Sequence, residues 1–367
     1  MRSAGDDLTS SLRPTRTLVS ATGPAGNIGD ALIRREAVRW AIGTSDELIV
    51  YVGEAPDTWL LQLGLPSGTR VLRSKRSVAR WLWLIATAPR RPVLVFESGE
   101  IPLDRGNVLR ELVFLAETLL IRLKGGVVVR PPRGIRAPTQ PATAIHTFAA
   151  RLSQFALWRD AASAALAGGS RVVPDIGFGA GIRPGVPWEN RRDLVVSLRG
   201  TRPMPNGDWI EAVRGFAASE GLRIRTVVQV REDEERSRDL ADALGGTFEP
   251  WGDTDPVTHE ARLRERYDDA RLVISDRMHV LVLAALSGAA PLELVPSPTH
   301  KITAAFATIG LADTTADAAT MTATEMLERM RRQTDRIDEI TRRIAAASAD
   351  LTRIEDEIRT AIRTARA

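Results

Sequence analysis

The sequence predicts an α/β protein built from two Rossmann-like domains followed by a long C-terminal helix. Short runs of Val, Ile and Leu alternate with helical patterns through the first part of the chain, and the alternation begins again near residue 190. Buried strands that alternate with helices are typical of a parallel sheet covered on both faces. We expect an N-terminal domain at 1–165, a C-terminal domain at 166–320 and a heptad helix at 321–367.

The first domain contains four apolar segments that indicate strands: TLVSATG, ELIVYVG, RPVLVFESG and GVVVRPP. Between them, GDALIRREAVRWAIG, SVARWLWLIATA and VLRELVFLAETLLIRLKG have the apolar spacing of helices. A further helical segment is expected at about 141–168. Ligands of doubly wound sheets bind beyond the carboxyl ends of the strands, so the residues that follow each strand are the candidates for function.

The second domain repeats this organisation. Its expected strands are RRDLVVSLRG, RIRTVVQV, RLVISD and APLELVP, and its expected helices include GDWIEAVRGFAASEG, EERSRDLADALGG, HEARLRERYDDA and MHVLVLAALSG. Two α/β halves of similar length indicate two domains that face each other across a cleft.

The C-terminal segment has apolar residues at heptad spacing, with Met330, Ile344 and Leu351 in one seam and Gln333 interrupting the other. Such a helix can pair with another subunit or pack back across the two domains. Its length and charged flanks favour self-association, so we expect a homodimer through this helix.

Composition excludes several kinds of site. The chain has no cysteine, which rules out disulfides, zinc–thiolate sites and cysteine nucleophiles. Its four histidines have no metal-ligand spacing, so we expect no metal. The net charge is +4, but aromatic residues make up 5% and do not interleave with basic runs, so we expect no nucleic-acid partner. The opening segment is polar and no apolar run could cross a bilayer, so we expect a cytoplasmic protein.

The turn GPAGNIGDALI, between the first strand and the first helix, is a candidate for substrate binding through Gly26, Asn27, Gly29 and Asp30. Its glycines let the backbone approach a ligand, and a helix N-terminus attracts anions. The spacing is neither GxGxxG nor that of a P-loop. The alternative is a tight turn in which Asp30 complements the helix dipole.

Three cations and a histidine follow strands of the second domain. Arg199 ends LVVSLR, and Arg277 and His279 stand at alternate positions before the helix MHVLVLAALSG. Arg277 can hold an anion while His279 carries a proton. Alternatively, Arg199 is an exposed loop residue, His279 caps the helix, and Arg277 pairs with Asp276 or Asp253. Lys301, in PSPTHKITAAF, is either a phosphate contact or a solvated lysine.

The order of GNIGDALI, WRDAASAALAG, VPDIGF, VVSLRG, ISDRMHVLVLAALSGAAP and HKITAAFATIGL resembles that of the polysaccharide pyruvyl transferase family, over about residues 18–311. The resemblance implies a GT-B-like arrangement of the two domains. It also implies a reaction in which phosphoenolpyruvate places a pyruvate ketal across two hydroxyls of a sugar and releases phosphate. The acceptor implied is a cell-envelope or exported glycan, or its lipid-linked precursor, and no cofactor is needed.

The resemblance assigns His279 as the general acid and Arg199, Arg277 and Lys301 as contacts of phosphoenolpyruvate. Where the family often has a run of glycines, this chain has VFESGEIP, so Glu97 or Glu100 can act as a base on the acceptor or bind its hydroxyls. The basic segment VVVRPPRGIR either binds an anionic acceptor or is a solvated loop. A lipid-linked acceptor would bring the protein into peripheral contact with a membrane.

Two other functions stay open at this point. One is a GT-B glycosyltransferase that uses a nucleotide sugar, although no strong sugar-nucleotide motif is apparent in the second half. The other is a non-catalytic relative that binds a glycan or a partner protein.

Overall fold

The computed structural model describes residues 15–74, 76–169, 171–183 and 185–366. Residues 1–14, which open the expected first domain, lie outside the described residues. The described part of the chain forms two parallel sheets that are flanked by helices, and the long C-terminal helix is present. The predicted fold class is confirmed.

The first sheet has eight strands in the order β3-β2-β1-β4-β6-β7-β8, with β5 paired to β6, and all its pairs are parallel. The strands are β1 Arg16–Ser20, β2 Glu47–Gly53, β3 Arg70–Arg73, β4 Val93–Val95, β5 Gly99–Pro102, β6 Val127–Arg136, β7 Phe155–Trp158 and β8 Arg171–Val172. Its helices are α1 Ile28–Arg39, α2 Asp57–Leu63, α3 Ser77–Ala86, α4 Val108–Leu123, α5 Ala142–Leu152 and α6 Ala161–Leu166.

The segment expected to be helical at about 141–168 is the main departure in this domain. It contains α5 and α6, but β7 lies between them and pairs with β6 and β8. Four apolar residues, FALW, are too few for periodicity to distinguish a strand from a helix. Pairing with β6 and β8 makes this segment a strand. The short elements α2 and β3 were not predicted.

The second sheet has six strands in the order β11-β10-β9-β12-β13-β14, also all parallel. The strands are β9 Asp193–Ser197, β10 Arg223–Val227, β11 Thr247–Glu249, β12 Ala270–Ser275, β13 Ala290–Val295 and β14 Thr315–Asp317. Its helices are α7 Gly207–Ser219, α8 Glu234–Leu244, α9 Pro256–Asp268, α10 Met278–Leu286 and α11 His300–Ala307. Strand β8 follows the expected boundary at 165 yet pairs in the first sheet.

The C-terminal segment forms two helices, α12 Ala323–Asp335 and α13 Ile337–Arg366. Their apolar seam packs within the chain, because Met330, Ile344 and Leu351 are each at most 1% exposed. Gln333, which interrupts the second seam, donates to the carbonyl of Pro291 at 2.6 Å. The apolar residues of the helix are thus covered by the protein's own core, which is the second arrangement that the heptad pattern allowed, and a homodimer through this helix stays a prediction.

Helix α13 returns to the first domain. The Arg359 guanidinium donates to the carbonyl of Ile42 at 2.9 Å, and one hydrophobic core includes residues of both sheets and of this helix. The helix therefore joins the two halves of the cleft. None of the helices in the described part is both long and apolar enough to span a membrane.

Candidate functional site

The turn between β12 and α10 presents two polar side chains from a buried setting. Every residue of 272–287 is buried except Arg277 and His279. The backbone N–H of Arg277 donates to Oγ of Ser275 at 2.9 Å, which closes the turn. Helix α10 is capped at Arg277 with no side-chain bond, so His279 does not cap the helix. Because the neighbouring residues are packed in the core, the turn is held in place, and Arg277 and His279 are the two side chains that remain partly exposed at the cleft.

Arg277 pairs with Asp233 rather than with Asp276 or Asp253. Its Nε and Nη2 donate to the two carboxylate oxygens of Asp233 at 2.8 and 2.7 Å. Oδ1 of Asp233 also accepts from the backbone N–H of Gly200 at 2.9 Å. A two-point pair of this kind fixes the plane of a guanidinium. Asp233 thus orients Arg277 and ties it to the loop after β9.

Arg199 lies in that loop and is held by a second buried carboxylate. Its backbone N–H donates to Oδ1 of Asp276 at 3.0 Å, and its Nε lies 3.6 Å from Oδ2, which Arg202 Nε approaches to 3.1 Å. Burial raises the pKa of Asp276, and these arginines oppose that effect. Burial lowers the pKa of Arg199, although Asp276 opposes that shift, and the positive charges of Arg277 and Arg202 lower it further. Positive charge is therefore concentrated here.

A cavity of about 290 Å³ opens beside this cluster. Arg199, Arg202 and Arg236 line it together with Asp276, and its walls are otherwise mainly apolar, including Pro203 and Val295. A cavity with convergent cations and apolar walls suits a small anion, because charge-assisted bonds strengthen where water is excluded.

His279 contacts a buried carboxylate that the sequence analysis did not single out. Its Nε2 lies 3.5 Å from Oδ1 of Asp175, which accepts from the N–H of Gly177 at 2.9 Å. Arg159 Nη1 donates to the other oxygen of Asp175 at 3.2 Å. Burial opposes ionisation of Asp175, but the contacts with His279 and Arg159 outweigh it, so the pKa of Asp175 lies below its ordinary value. The carboxylate is thus negative and faces the imidazole.

Lys301 lies at the start of α11 and reaches across to the first domain. Its Nζ is 3.2 Å from Oε1 of Glu100, which also lies 3.1 Å from Arg159 Nη2. Burial and the positive charges of Arg159 and Arg199 lower the pKa of Lys301, although Glu100 opposes them. The alternative of a solvated lysine is not what the structure shows. A chain of ion pairs instead runs from Lys301 through Glu100, Arg159 and Asp175 to His279.

The turn at 26–30, between β1 and α1, contacts the second domain at His279. A Cβ on Gly29 would lie 2.7 Å from Nδ1 of His279, so only glycine allows this approach. Oδ1 of Asn27 accepts from the N–H groups of Gly29 and Asp30, at 2.9 and 3.3 Å, and Asp30 pairs with Arg34 at 2.6 Å. The turn caps α1 and packs against His279. The N–H groups of Gly29 and Asp30 already donate to Asn27, so they are not free to bind an anion.

Gly26 and Asn27 also join the two domains directly. The carbonyl of Gly26 accepts from the N–H of Arg231 at 3.0 Å, and Asn27 forms a β-bridge with Val230. Gly26 has φ +83, a backbone conformation that favours glycine. These contacts align the two halves of the cleft.

Glu97 follows β4 at the carboxyl edge of the first sheet. Its Oε2 accepts from the hydroxyls of Ser20 and Thr22, at 2.9 and 2.7 Å. Among the described residues, none donates a hydrogen bond to its Oε1. Glu97 is thus oriented by β1 while one carboxylate oxygen stays available.

The arginines of VVVRPPRGIR are not in a solvated loop. Arg130 and Arg133 lie on β6 and are 0% and 1% exposed, with the Arg130 guanidinium 4.1 Å from the Phe96 ring centre. Burial lowers the pKa of Arg130 to about 10 and that of Arg133 to about 9. Only Arg136 of the three is exposed, and it lies 3.9 Å from Glu100. Buried as they are, Arg130 and Arg133 offer no surface to an acceptor.

Three residues that orient the site were not predicted from the sequence: Arg159, Asp175 and Asp233. Asp276 was considered, but as a partner of Arg277. Arg159 and Asp175 stand in WRDAASAALAG and VPDIGF, two of the segments that carry the family resemblance, and that position was the signal that could have identified them. Asp233 lies in a charged run without any motif. In the described ranges, no group of three or more His, Asp and Glu side chains could hold a metal ion.

Comparison with solved structures identifies the architecture. A protein from Listeria monocytogenes assigned as a UDP-N-acetylglucosamine 2-epimerase matches with a TM-score of 0.56 at 14% identity, over 93% of this chain and 95% of that one. MnaA of S. aureus, solved with UDP, has a TM-score of 0.51 at 12% identity, over 92% of each chain. The glycotransferase of kitacinnamycin has a TM-score of 0.52 at 13% identity, over 95% and 99%.

The arrangement is GT-B-like. At these identities the likeness concerns the fold alone. No protein-family model matches the chain, and no curated protein matches its sequence.

Proposed function

We propose that this chain is a pyruvyl transferase that moves pyruvate from phosphoenolpyruvate onto two hydroxyls of a sugar in a glycan or glycolipid. One observation carries the proposal: Arg199, Arg277, His279 and Lys301 follow β9, β12 and β13 at the carboxyl edge of the second sheet, and ion pairs through Glu100, Arg159 and Asp175 connect Lys301 to His279. Each of the four is oriented by a carboxylate, namely Asp276, Asp233, Glu100 and Asp175. This arrangement suits a small, doubly anionic donor.

The donor carries a carboxylate and a phosphate, which require separate cationic contacts. Arg199 and Arg277 are anchored on the second domain, whereas Lys301 is held at the domain boundary by Glu100. The half-buried setting strengthens charge-assisted bonds to both groups. Binding of the donor would replace part of the internal pairing of these cations.

The reaction begins with a proton transfer from His279 to the methylene carbon C3 of phosphoenolpyruvate, which makes C2 electrophilic. One acceptor hydroxyl then attacks C2 and loses its proton. The second hydroxyl attacks C2 in turn and loses its proton, while the bond between C2 and the phosphate oxygen breaks. Of the two hydroxyl protons, one replaces the proton that His279 gave to C3 and the other leaves with the phosphate as HPO₄²⁻. The products are a cyclic pyruvate ketal and inorganic phosphate, so atoms and charge balance.

Asp175 is the positioning residue for His279 in this scheme. Asp175 faces Nε2 and Nδ1 borders Gly29, so transfer from Nδ1 requires the methylene carbon of the donor to approach the imidazole beside Gly29. A carboxylate behind an imidazole fixes its tautomer and stabilises the imidazolium.

Glu97 suits the role of base on the acceptor better than Glu100. Glu100 is held between Lys301 and Arg159, and although burial opposes the shift, these cations lower its pKa. Glu97 is oriented by two hydroxyls and keeps Oε1 available. The acceptor therefore binds at the carboxyl edge of the first sheet, opposite the donor.

The rival function is transfer of a sugar from a nucleotide sugar. It is suggested by the fold likeness to MnaA, which was solved with UDP. Purified protein would be incubated with phosphoenolpyruvate or with UDP- and ADP-sugars, each with a panel of glycosides. We expect phosphate release and a product heavier by one pyruvate ketal with phosphoenolpyruvate alone. Turnover with a nucleotide sugar and none with phosphoenolpyruvate would overturn the proposal.

A further inference from the structure

Helix α4 buries several polar residues and exposes several apolar ones. Its buried residues are Glu111, Glu117, Thr118 and Ile121, whereas four of its six leucines are exposed. Leu109, Leu112, Leu119 and Leu123 are 73%, 46%, 38% and 83% exposed. Spacings of three, seven and four residues place these leucines on one stripe of the helix. An apolar stripe normally faces the core, so the opposite arrangement here requires a reason.

The buried side of α4 is polar because it has polar partners. Glu111 contacts Nδ1 of His146 at 2.7 Å, and Glu117 accepts from Nε1 of Trp81 at 2.8 Å. The exposed side has no such partners in the described chain. The orientation of the helix is therefore fixed from within, and it leaves the leucines outside.

The neighbouring helices extend the stripe into a surface. Helix α3 packs against one side of α4 and α5 against the other. They contribute Trp83, which is 59% exposed, and Phe148, which is 53% exposed. We define the leucine face as Trp83, Leu109, Leu112, Leu119, Leu123 and Phe148. Exposed apolar side chains grouped on neighbouring helices indicate an interaction surface.

The segments that carry the leucine face are basic and poor in acidic residues, although the exposed Asp57 pairs with Arg73 of β3 at 2.6 Å. Residues 70–96 contain no Asp or Glu, and residues 105–159 contain only Glu111 and Glu117, which are both buried. This contrasts with a chain that has 46 acidic residues in all. The exposed arginines of the two segments include Arg76, Arg80, Arg90, Arg91, Arg122 and Arg151.

We infer that the leucine face docks on a bilayer that contains anionic lipid. Leucine and tryptophan side chains enter the interfacial region, and surrounding arginines bind lipid phosphates. A second copy of this chain fits less well, because two such faces would bring like charges together. The partner is thus a negatively charged membrane surface.

The position of the leucine face relative to the cleft bears on how a membrane-bound acceptor would reach the protein. Helix α4 begins after β5 at the carboxyl edge of the first sheet, so the Leu109 end of the leucine face lies on the side of the domain that carries Glu97 and Glu100, and docking at that end brings the membrane to this side. A lipid-linked acceptor could then reach Glu97 without leaving the bilayer. That last point rests on the proposed function, whereas the docking itself does not.

The test is co-sedimentation of the whole protein with two kinds of vesicle, phosphatidylcholine alone and an equimolar mixture with phosphatidylglycerol. We expect binding to the mixed vesicles that weakens at high salt. Leu123→Gln should weaken it several-fold, and Arg80→Glu should weaken it about tenfold. The matched controls are Leu61→Gln, at an exposed leucine on α2, and Arg214→Glu, at an exposed arginine on α7. Both controls should bind as the parent protein does.

Three results would overturn the inference. They are no preference for anionic vesicles, equal losses in test and control variants, and a dimer without lipid that Leu123→Gln dissociates. Circular dichroism of each variant confirms that it folds. Because the readout is lipid binding, failure here leaves the phosphoenolpyruvate assay unaffected, and failure of that assay leaves vesicle binding unaffected.

Discussion

Two groups of arginines lie on or just after strands of the two parallel sheets, and their partners differ. Arg199 and Arg277 lie after β9 and β12, are partly exposed, and are paired with the carboxylates of Asp276 and Asp233 at the cleft. Arg130 and Arg133 lie within β6, are buried, and donate to neutral groups, the Ser153 and Thr118 hydroxyls and the Glu97 carbonyl. The first group lies at the cleft, where Arg199 lines a cavity, whereas the second group is packed inside the sheet layer.

The difference shows that an arginine after a buried strand is not in itself an anion site. What matters is whether the strand ends there. Strand β12 ends at Ser275, so the following side chains reach the cleft, whereas β6 continues to Arg136 and keeps Arg130 and Arg133 inside the sheet layer. Substitutions in the first group should therefore change activity, and substitutions in the second should change stability.

The largest effect is expected at His279. Replacement His279→Ala should lower kcat for ketal formation by roughly 10²–10⁴-fold, the usual contribution of a general acid. The protein should still fold, with a lower melting temperature, because the buried Asp175 carboxylate loses its contact with the imidazole. Phosphate release and product mass measure the activity. Retained activity would remove His279 from the acid role.

The two arginine groups should respond oppositely to removal of charge. Arg199→Met should raise KM for phosphoenolpyruvate about ten- to a hundredfold, since a charge-assisted bond contributes about 1.5–3 kcal/mol. Arg130→Met should leave KM within about twofold but lower the free energy of unfolding by about 1–3 kcal/mol, because Thr118 and Ser153 lose their bonded partner. Steady-state kinetics and urea unfolding of both variants measure this contrast. Equal KM effects would erase the distinction.

Asp175→Asn tests the positioning of His279. We expect kcat to fall about tenfold with KM for phosphoenolpyruvate unchanged, because Asp175 contacts His279 rather than the donor. Since the folded-state pKa of Asp175 is lowered, its ionised form stabilises the fold above the unfolded pKa of about 4, and this stability is lost as pH falls through the folded-state pKa. The variant should thus be less stable than the parent at neutral pH and approach it in acid. A change in KM alone would contradict the assignment.

The smallest effect concerns stability near the buried arginines. Burial raises the pKa of Glu117 to about 7, above the ordinary value near 4.5. The folded protein therefore binds this proton more tightly than the unfolded chain, so stability falls as pH rises between these values and is lowest above them. Glu117→Gln should raise the melting temperature at pH 8 and change it little at pH 4. Thermal melts at both pH values measure this, and an equal effect at the two would refute it.

Several features of the cleft could be predicted from the chain because they depend on local pattern. The apolar run around Arg277 and His279 predicted a buried strand, a tight turn and a buried helix, and those elements are present. The placement of Arg199 and Lys301 after strands was predicted in the same way. The partners of Arg277 and Lys301 could not be predicted, because Asp233 and Glu100 are brought to them by distant segments of the chain.

The sequence alone determined the two parallel α/β halves and the C-terminal helix, because strand and helix periodicities are local properties of neighbouring residues. Only the tertiary structure decided that the heptad seam is covered by the protein's own core, that Arg130 and Arg133 are buried, and that α4 turns its leucines outward. Each of these depends on which surface meets which, and that is set by contacts between residues far apart in the chain. The same long-range contacts place Asp175 behind His279 and Gly29 against it.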